Sequence, residues 1–184
     1  MDGSESGSQR ALGTVLPGRQ GDFQDRERVV NHGNKVIEWL DHPWQAWVTI
    51  DKRQWSCNRK PRLLSTDELI VGLVKNVGNN GNYMINLGPR PDGSFEPEQI
   101  ALMDGLGEWL REHGEAIYGT RGGPYYPLKS VVSTRKGNRA WLFVLDKRKR
   151  SLSLPQLDMP LMSARVFGSD QAVEFSLRRN KIVF

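Results

Sequence analysis

Two apolar rhythms divide this chain near residue 127. Upstream, Leu69, Ile70, Leu73, Val74 and Val77 recur at helical spacing, as do Ile100, Met103, Leu106, Trp109 and Leu110. Each set predicts a helix with one apolar face. The first helix opens on Ser65-Thr66-Asp67-Glu68, a capping box in which Ser65 caps and Glu68 reaches back from the third helical position. Gly78 and the Asn-Asn-Gly after it end that helix. The second opens at Glu96-Pro97, where Pro suits the first helical position and acidic residues suit the N-terminus. It closes at His113-Gly114, with Gly114 as a left-handed terminator and His113 as a cap rather than a catalyst. Between the helices, Tyr83 to Leu87 form a short apolar run bracketed by Asn79-Asn80-Gly81 and Gly88-Pro89-Arg90-Pro91-Asp92-Gly93. That is one buried strand between two turns. Asn86 interrupts it near its exit, and a polar side chain there needs a hydrogen-bond partner or a cavity that supplies one. A further strand is predicted over residues 46–50, where β-branched and aromatic side chains dominate. Strands alternating with helices are the grammar of an α/β fold, in which function gathers at the C-terminal ends of strands.

Downstream the runs become short and strand-like: 130–134, 140–145, 151–154, 163–167, 172–177 and 181–184, separated by turns such as Lys136-Gly137-Asn138. That pattern predicts a small antiparallel β-sandwich, with a boundary near 124–127. Residues 1–20 are rich in Gly and Ser and read as a flexible lead-in. Residues 21–28 are charged and read as a loop. A polar, basic loop over 51–62 holds Trp55 and Cys57.

Composition narrows the class without naming a chemistry. The chain has 184 residues, 38% of them hydrophobic, with a mean hydropathy of −0.55. No apolar run approaches the ~18–20 residues of a membrane span, so no membrane partner is expected. The first residues carry no charged-then-apolar leader. Cys57 is the single cysteine, which excludes an intrachain disulfide and a thiolate metal cluster. The net charge of +5 sits mostly in Lys147-Arg148-Lys149-Arg150 and Arg178-Arg179. These runs read as a solvated turn and a guarded strand edge, and no nucleic-acid motif accompanies them. The three histidines, His32, His42 and His113, lack metal-ligand spacing, and neither a nucleophile elbow nor a P-loop is present. Asp22, Asp25, Glu27, Asp51 and Glu115 are the candidate carboxylates, against a surface-charge alternative for each. Phe23, Trp44, Trp47 and Trp55 surround a polar loop and could stack on a ligand, with a core role as the alternative for Trp44 and Trp47.

The order of the segments goes further. A PW-x-A-x-V-TID-x-x-x-W pattern beginning at Pro43, then NGNYMINLGPRPDG over 80–93, then LGEWLREHGEAIYGT over 106–120, closely resembles the α-L-fucosidases of glycoside hydrolase family 29. The resemblance runs from about Gly21 to Pro127, with the β-rich remainder similar by position and pattern. It implies the C-terminal segments of a (β/α) TIM-type barrel over 21–126, followed by a C-terminal β-sandwich over 127–184. It also implies retaining hydrolysis of terminal α-L-fucosyl linkages on a fucosylated glycan or glycoconjugate, without a cofactor or metal. Retention uses two carboxyl groups roughly 5–5.5 Å apart, one attacking the anomeric carbon and one acting as acid then base.

What the resemblance omits is as informative. A whole barrel takes ~250 residues. The family's nucleophile Asp and its histidine-bearing early strands lie upstream of everything that resembles it here. The expectation is therefore a fragment, inactive alone. Gly21-Asp22-Phe23 matches a segment that leads to the family's acid/base, which implies Glu27 in that role, although Asp25-Arg26 replaces the usual Thr-Pro. Trp55 matches an aromatic that contacts the methyl side of fucose, with Ser56-Cys57 in place of the family's Gly-Tyr. Gln45 stands where a Glu usually follows Pro-Trp, keeping hydrogen bonding without charge. Arg19 is a candidate for holding a sugar hydroxyl. A non-catalytic carbohydrate-binding or interaction module is the competing reading. The family is often secreted, periplasmic or lysosomal. Linkage preference, oligomeric state and compartment stay open.

Overall fold

The structure, a computed structural model, describes Gln24, Asp25, Trp39 and residues 44–184 apart from Pro127, Lys129, Lys147 and Asp170. Its first layer is a parallel sheet in the order β1 (Gln24–Asp25), β2 (Trp44–Thr49), β3 (Gly81–Asn86). Helix α1 (Thr66–Gly78) connects β2 to β3, and α2 (Pro97–His113) follows β3. This is an α/β fold built from strand–helix–strand crossovers. The segment 21–28, expected as a loop, contributes the short strand β1, paired with β2 from Gln24 opposite Trp44 to Asp25 opposite Gln45.

Local chemistry sets the helix ends. Ser65 caps α1: its hydroxyl accepts from the Glu68 N–H at 3.1 Å, and the Glu68 carboxylate accepts from the Ser65 N–H at 2.8 Å. A Lys52 ammonium at 2.6 Å from Glu68 joins the same box. In α2 the expected apolar stripe holds except at its start: Met103, Leu106, Trp109 and Leu110 pack into the core. Gln99, Leu102 and Leu106 are buried, while Ile100 is 49% exposed. The Gln99 amide donates to the Gly88 carbonyl at 3.1 Å, so the first turn meets the exit of β3. Gly114 is not left-handed either. Its φ is −60°, and the chain continues into a 3-10 turn at Gly114–Ala116. A side chain at 114 would meet the Tyr118 ring at 3.0 Å, and the left-handed residue is Gly119, at φ 68°.

One core lies between sheet and helices, formed by Ile50, Leu69, Leu102 and Leu106 with Tyr83, Ile85 and Leu87 against them. A second joins Val74 of α1 and Ile117 to Val132, which belongs to the all-β part. Gly78 makes that approach possible, because a Cβ there would collide with the Val132 side chain. Trp44 is fully buried, with its indole N–H donating to the Asn79 carbonyl at 2.8 Å.

Two antiparallel three-stranded sheets follow. The first is β4 (Arg121–Gly122), β5 (Val131–Lys136) and β6 (Arg139–Val144). The β5–β6 hairpin turns on Gly137-Asn138, with Gly137 at φ 56°, as a two-residue turn with a leading glycine requires. The second sheet orders β7 (Ser153–Pro155), β9 (Lys181–Val183) and β8 (Ser176–Arg178). The expected strand over 163–167 is not one. It makes a single bridge, Arg165 to Ala172, inside a narrow loop whose Met162, Val166 and Phe167 stay exposed. Ladder pairing in 172–177 is confined to its end, because only there does a β9 partner lie alongside.

Candidate functional site

Parallel register places β2 and β3 residues side by side. Gln45 pairs with Asn82, Trp47 with Met84 and Thr49 with Asn86. Alternation sends Trp44, Ala46 and Val48 to the buried face of β2, and Tyr83 and Ile85 into the helix-side core. Gln45, Trp47, Thr49, Asn82, Met84 and Asn86 therefore share the opposite face. It is a face of amides, an indole, a thioether and a hydroxyl, without a carboxylate. Gln45 Nε2 and Trp47 Nε1 are buried on it, and neither has a hydrogen-bond partner among the described residues. Buried donors in that state are rare and call for an acceptor.

Asn86 answers the question its sequence position raised. Its amide donates to the Trp55 carbonyl at 2.7 Å and lies 3.4 Å from the Thr49 hydroxyl. Thr49 in turn donates to the Gln54 carbonyl at 3.3 Å. The strand exit thus holds the tip of the 51–62 loop. Gly88 is the second anchor: a Cβ there would stand 2.8 Å from the Ser56 carbonyl oxygen, so only glycine admits this close approach. Trp55 is half-buried at this rim.

Asp51 organises the base of the loop, and here the structure corrects the surface-charge reading. It is 5% exposed. Its carboxylate accepts from the Arg53 N–H at 3.0 Å, the Arg62 N–H at 3.1 Å and the Asn58 amide at 2.7 Å. Burial pushes its carboxyl up. The Asn58 amide, the two N–H groups and the Arg53 charge outweigh that and hold it below the usual aspartate range. Glu115, by contrast, is an exposed partner of Arg139 at 2.9 Å. His113 receives the capping place expected of it, with Nδ1 3.0 Å from the Trp109 carbonyl and its ring stacked on Trp109 at 4.7 Å.

Of the residues singled out beforehand, Trp55 stands at the rim. Glu27, Arg19, Asp22 and Phe23 lie outside the described residues, and Asp25 is described as part of β1 only. The structure brings Gln45 and Trp47 onto one face with Asn86, and it places Trp44 on the other. Asp51 and Gln99 were missed as organisers. Asp51 carried one signal, the abrupt end of an apolar strand at Thr49-Ile50-Asp51. Gln99 carried another, its place at helical spacing with Leu102 and Leu106.

Comparison with known proteins shows the family of the chain. Residues 10–115 match the family model described as alpha-L-fucosidase. An alpha-L-fucosidase of Branchiostoma floridae is 36% identical over 116 residues, 57% of this chain and 25% of that protein. Human tissue alpha-L-fucosidase is 37% identical over 111 residues, 57% of this chain and 24% of its own length. The crystal structure of Thermotoga maritima alpha-fucosidase in complex with fucose superposes with a TM-score of 0.77 at 25% identity, covering 96% of this chain and 41% of that one. The chain belongs to the alpha-L-fucosidase family, a family of glycoside hydrolases. It spans about a quarter of the length of those two curated relatives.

Proposed function

We propose that this chain forms the C-terminal part of a retaining α-L-fucosidase acting on terminal α-L-fucosyl groups of a glycan or glycoconjugate. On this reading 21–126 supplies the last segments of a (β/α) barrel, 127–184 a β-sandwich, and 1–20 a lead-in. One observation carries the sugar assignment: the rim where Asn86 holds the Trp55 loop, beside a face with two buried donors that have no partner among the described residues. An indole surface suits the apolar side of a deoxy sugar, and amide donors suit its hydroxyl oxygens. Trp55 packs against the methyl side of the fucose, and Arg19 holds a hydroxyl. Glu27 is the acid/base: it protonates the leaving oxygen, then activates the water that releases the sugar.

A retaining mechanism needs a second carboxylate as nucleophile, and the face built by β2 and β3 offers none. On this reading the chain binds fucose without turning it over. Aryl-fucoside hydrolysis by the purified chain is expected to stay at the uncatalysed rate. Turnover that Glu27→Ala abolishes would overturn this half of the proposal. Titration of indole fluorescence with fucose tests the other half: a saturable change is expected, weakened about tenfold in Trp55→Ala.

A further inference from the structure

The β8–β9 hairpin concentrates positive charge where sheet chemistry disfavours it. Arg178 and Lys181 are direct cross-strand partners, and like charges placed opposite one another destabilise an antiparallel pair. The two residues between them, Arg179 and Asn180, turn at φ 46° and 61°. Asn tolerates the left-handed region, but arginine has no such preference there. Arg178, Arg179 and Lys181 line an open hollow of about 470 Å³ with Val183. All three cations are exposed, and none is paired with a carboxylate among the described residues. On the described surface Lys52 pairs with Glu68, Arg90 with Glu96, Arg139 with Glu115 and Arg148 with Asp146.

We propose that this hollow is an anion site, taking a tetrahedral oxyanion ester, sulfate or phosphate, carried on a glycan chain. Guanidinium groups match such oxyanions in a bidentate fork, and an ammonium adds a point charge. A bound dianion or monoanion converts the Arg178–Lys181 repulsion into two attractions. The lining contains no aromatic side chain, whereas single-stranded nucleic acid sites combine cations with stacking platforms. The site lies on the second antiparallel sheet, apart from the rim at Asn86 and Trp55. Choosing a glycan as the carrier rests on the proposed function; the oxyanion chemistry does not.

The test is calorimetric titration of the full chain with a sulfated galacto-oligosaccharide that carries no fucose, with its desulfated counterpart, and with duplex DNA. The sulfated probe is expected to bind and the desulfated one not to. Arg179→Gly suits the turn's left-handed backbone and so preserves the fold, yet it is expected to weaken binding about tenfold, the worth of one charge-assisted hydrogen bond. The double variant Arg178→Gln, Lys181→Gln is expected to remove binding while the thermal midpoint holds or rises. Competition by inorganic sulfate or by inorganic phosphate supports the site and tells which oxyanion it prefers. Equal binding of the desulfated probe, tighter binding of the DNA, or unaltered affinity in Arg179→Gly overturns it. Because the probe lacks fucose, failure of the fucose titration leaves this outcome unaffected, and the reverse holds too.

Discussion

A single amide, Asn86, ties the end of β3 to the loop that carries Trp55. Asn86→Ala removes a 2.7 Å donor to the Trp55 carbonyl and leaves that carbonyl unsatisfied at the rim. A loss of about 1–2 kcal/mol is expected by denaturant unfolding. A merely structural contact would lower stability alone; here the fucose-dependent fluorescence change is expected to fall as well. Asp51 gives a pH dependence whose sign is fixed. Its folded carboxyl lies below the ordinary value, which is about 3.9 for an aspartate. The stabilisation is therefore fully present above that value, and it is lost as pH falls through the folded one. Glu68, lowered by Lys52 and by the Ser65 N–H, titrates in the same sense. Asp51→Asn keeps the shape but loses the charge. Its unfolding free energy is expected to fall by about 1–2 kcal/mol near neutral pH, with a shallower decline on acidification than the parent chain.

Helix α1 is the element on which both halves of the structure depend. Its N-terminus was fully readable: a Ser, a Glu three residues on, and an apolar stripe behind them. Ser65→Ala is expected to cost about 1 kcal/mol, measurable as a lowered thermal midpoint. Its C-terminus was readable as an end but not as a contact. Gly78 looked like a terminator, and its larger role is to let α1 approach Val132. Gly78→Ala is expected to destabilise by about 1–3 kcal/mol through overpacking, although alanine is the better helix former. Recovery of that loss by Val132→Ala would identify the contact as the cause; a double variant no better than the single one would count against it. Helix α2 shows the limit of periodicity. Counting apolar residues pointed Ile100 inward, yet it is 49% exposed while Met103, Leu106 and Leu110 pack on the core as expected. The first turn instead buries Gln99, whose amide donates to the Gly88 carbonyl.

At the scale of the molecule, the parallel sheet is thin. Among the described residues β3 pairs with β2 alone, so its far edge offers a row of unpaired backbone groups. The polar face beside that edge holds two buried donors without acceptors among the described residues. Concentration-dependent self-association of the purified chain is expected in sedimentation velocity, and a strictly monomeric sample with one cooperative melt would contradict it.

The sequence by itself determined most of the elements, both helices, β2, β3 and the β5–β6 hairpin among them. Apolar spacing, a capping box and glycine–proline punctuation are local, and neighbours within a few residues decide them. NGNYMINLGPRPDG could be read as a strand with a polar residue near its exit, and the motif order pointed to the family that the comparisons show. Tertiary structure decided the rest. That Asn86 would find the Trp55 carbonyl, that Asp51 would be buried as a staple, and that Arg178 would stand opposite Lys181 each depend on register or on contacts between distant segments. Spacing along the chain carries no record of such pairings, because hydrogen bonds and close approaches are chosen by the whole fold.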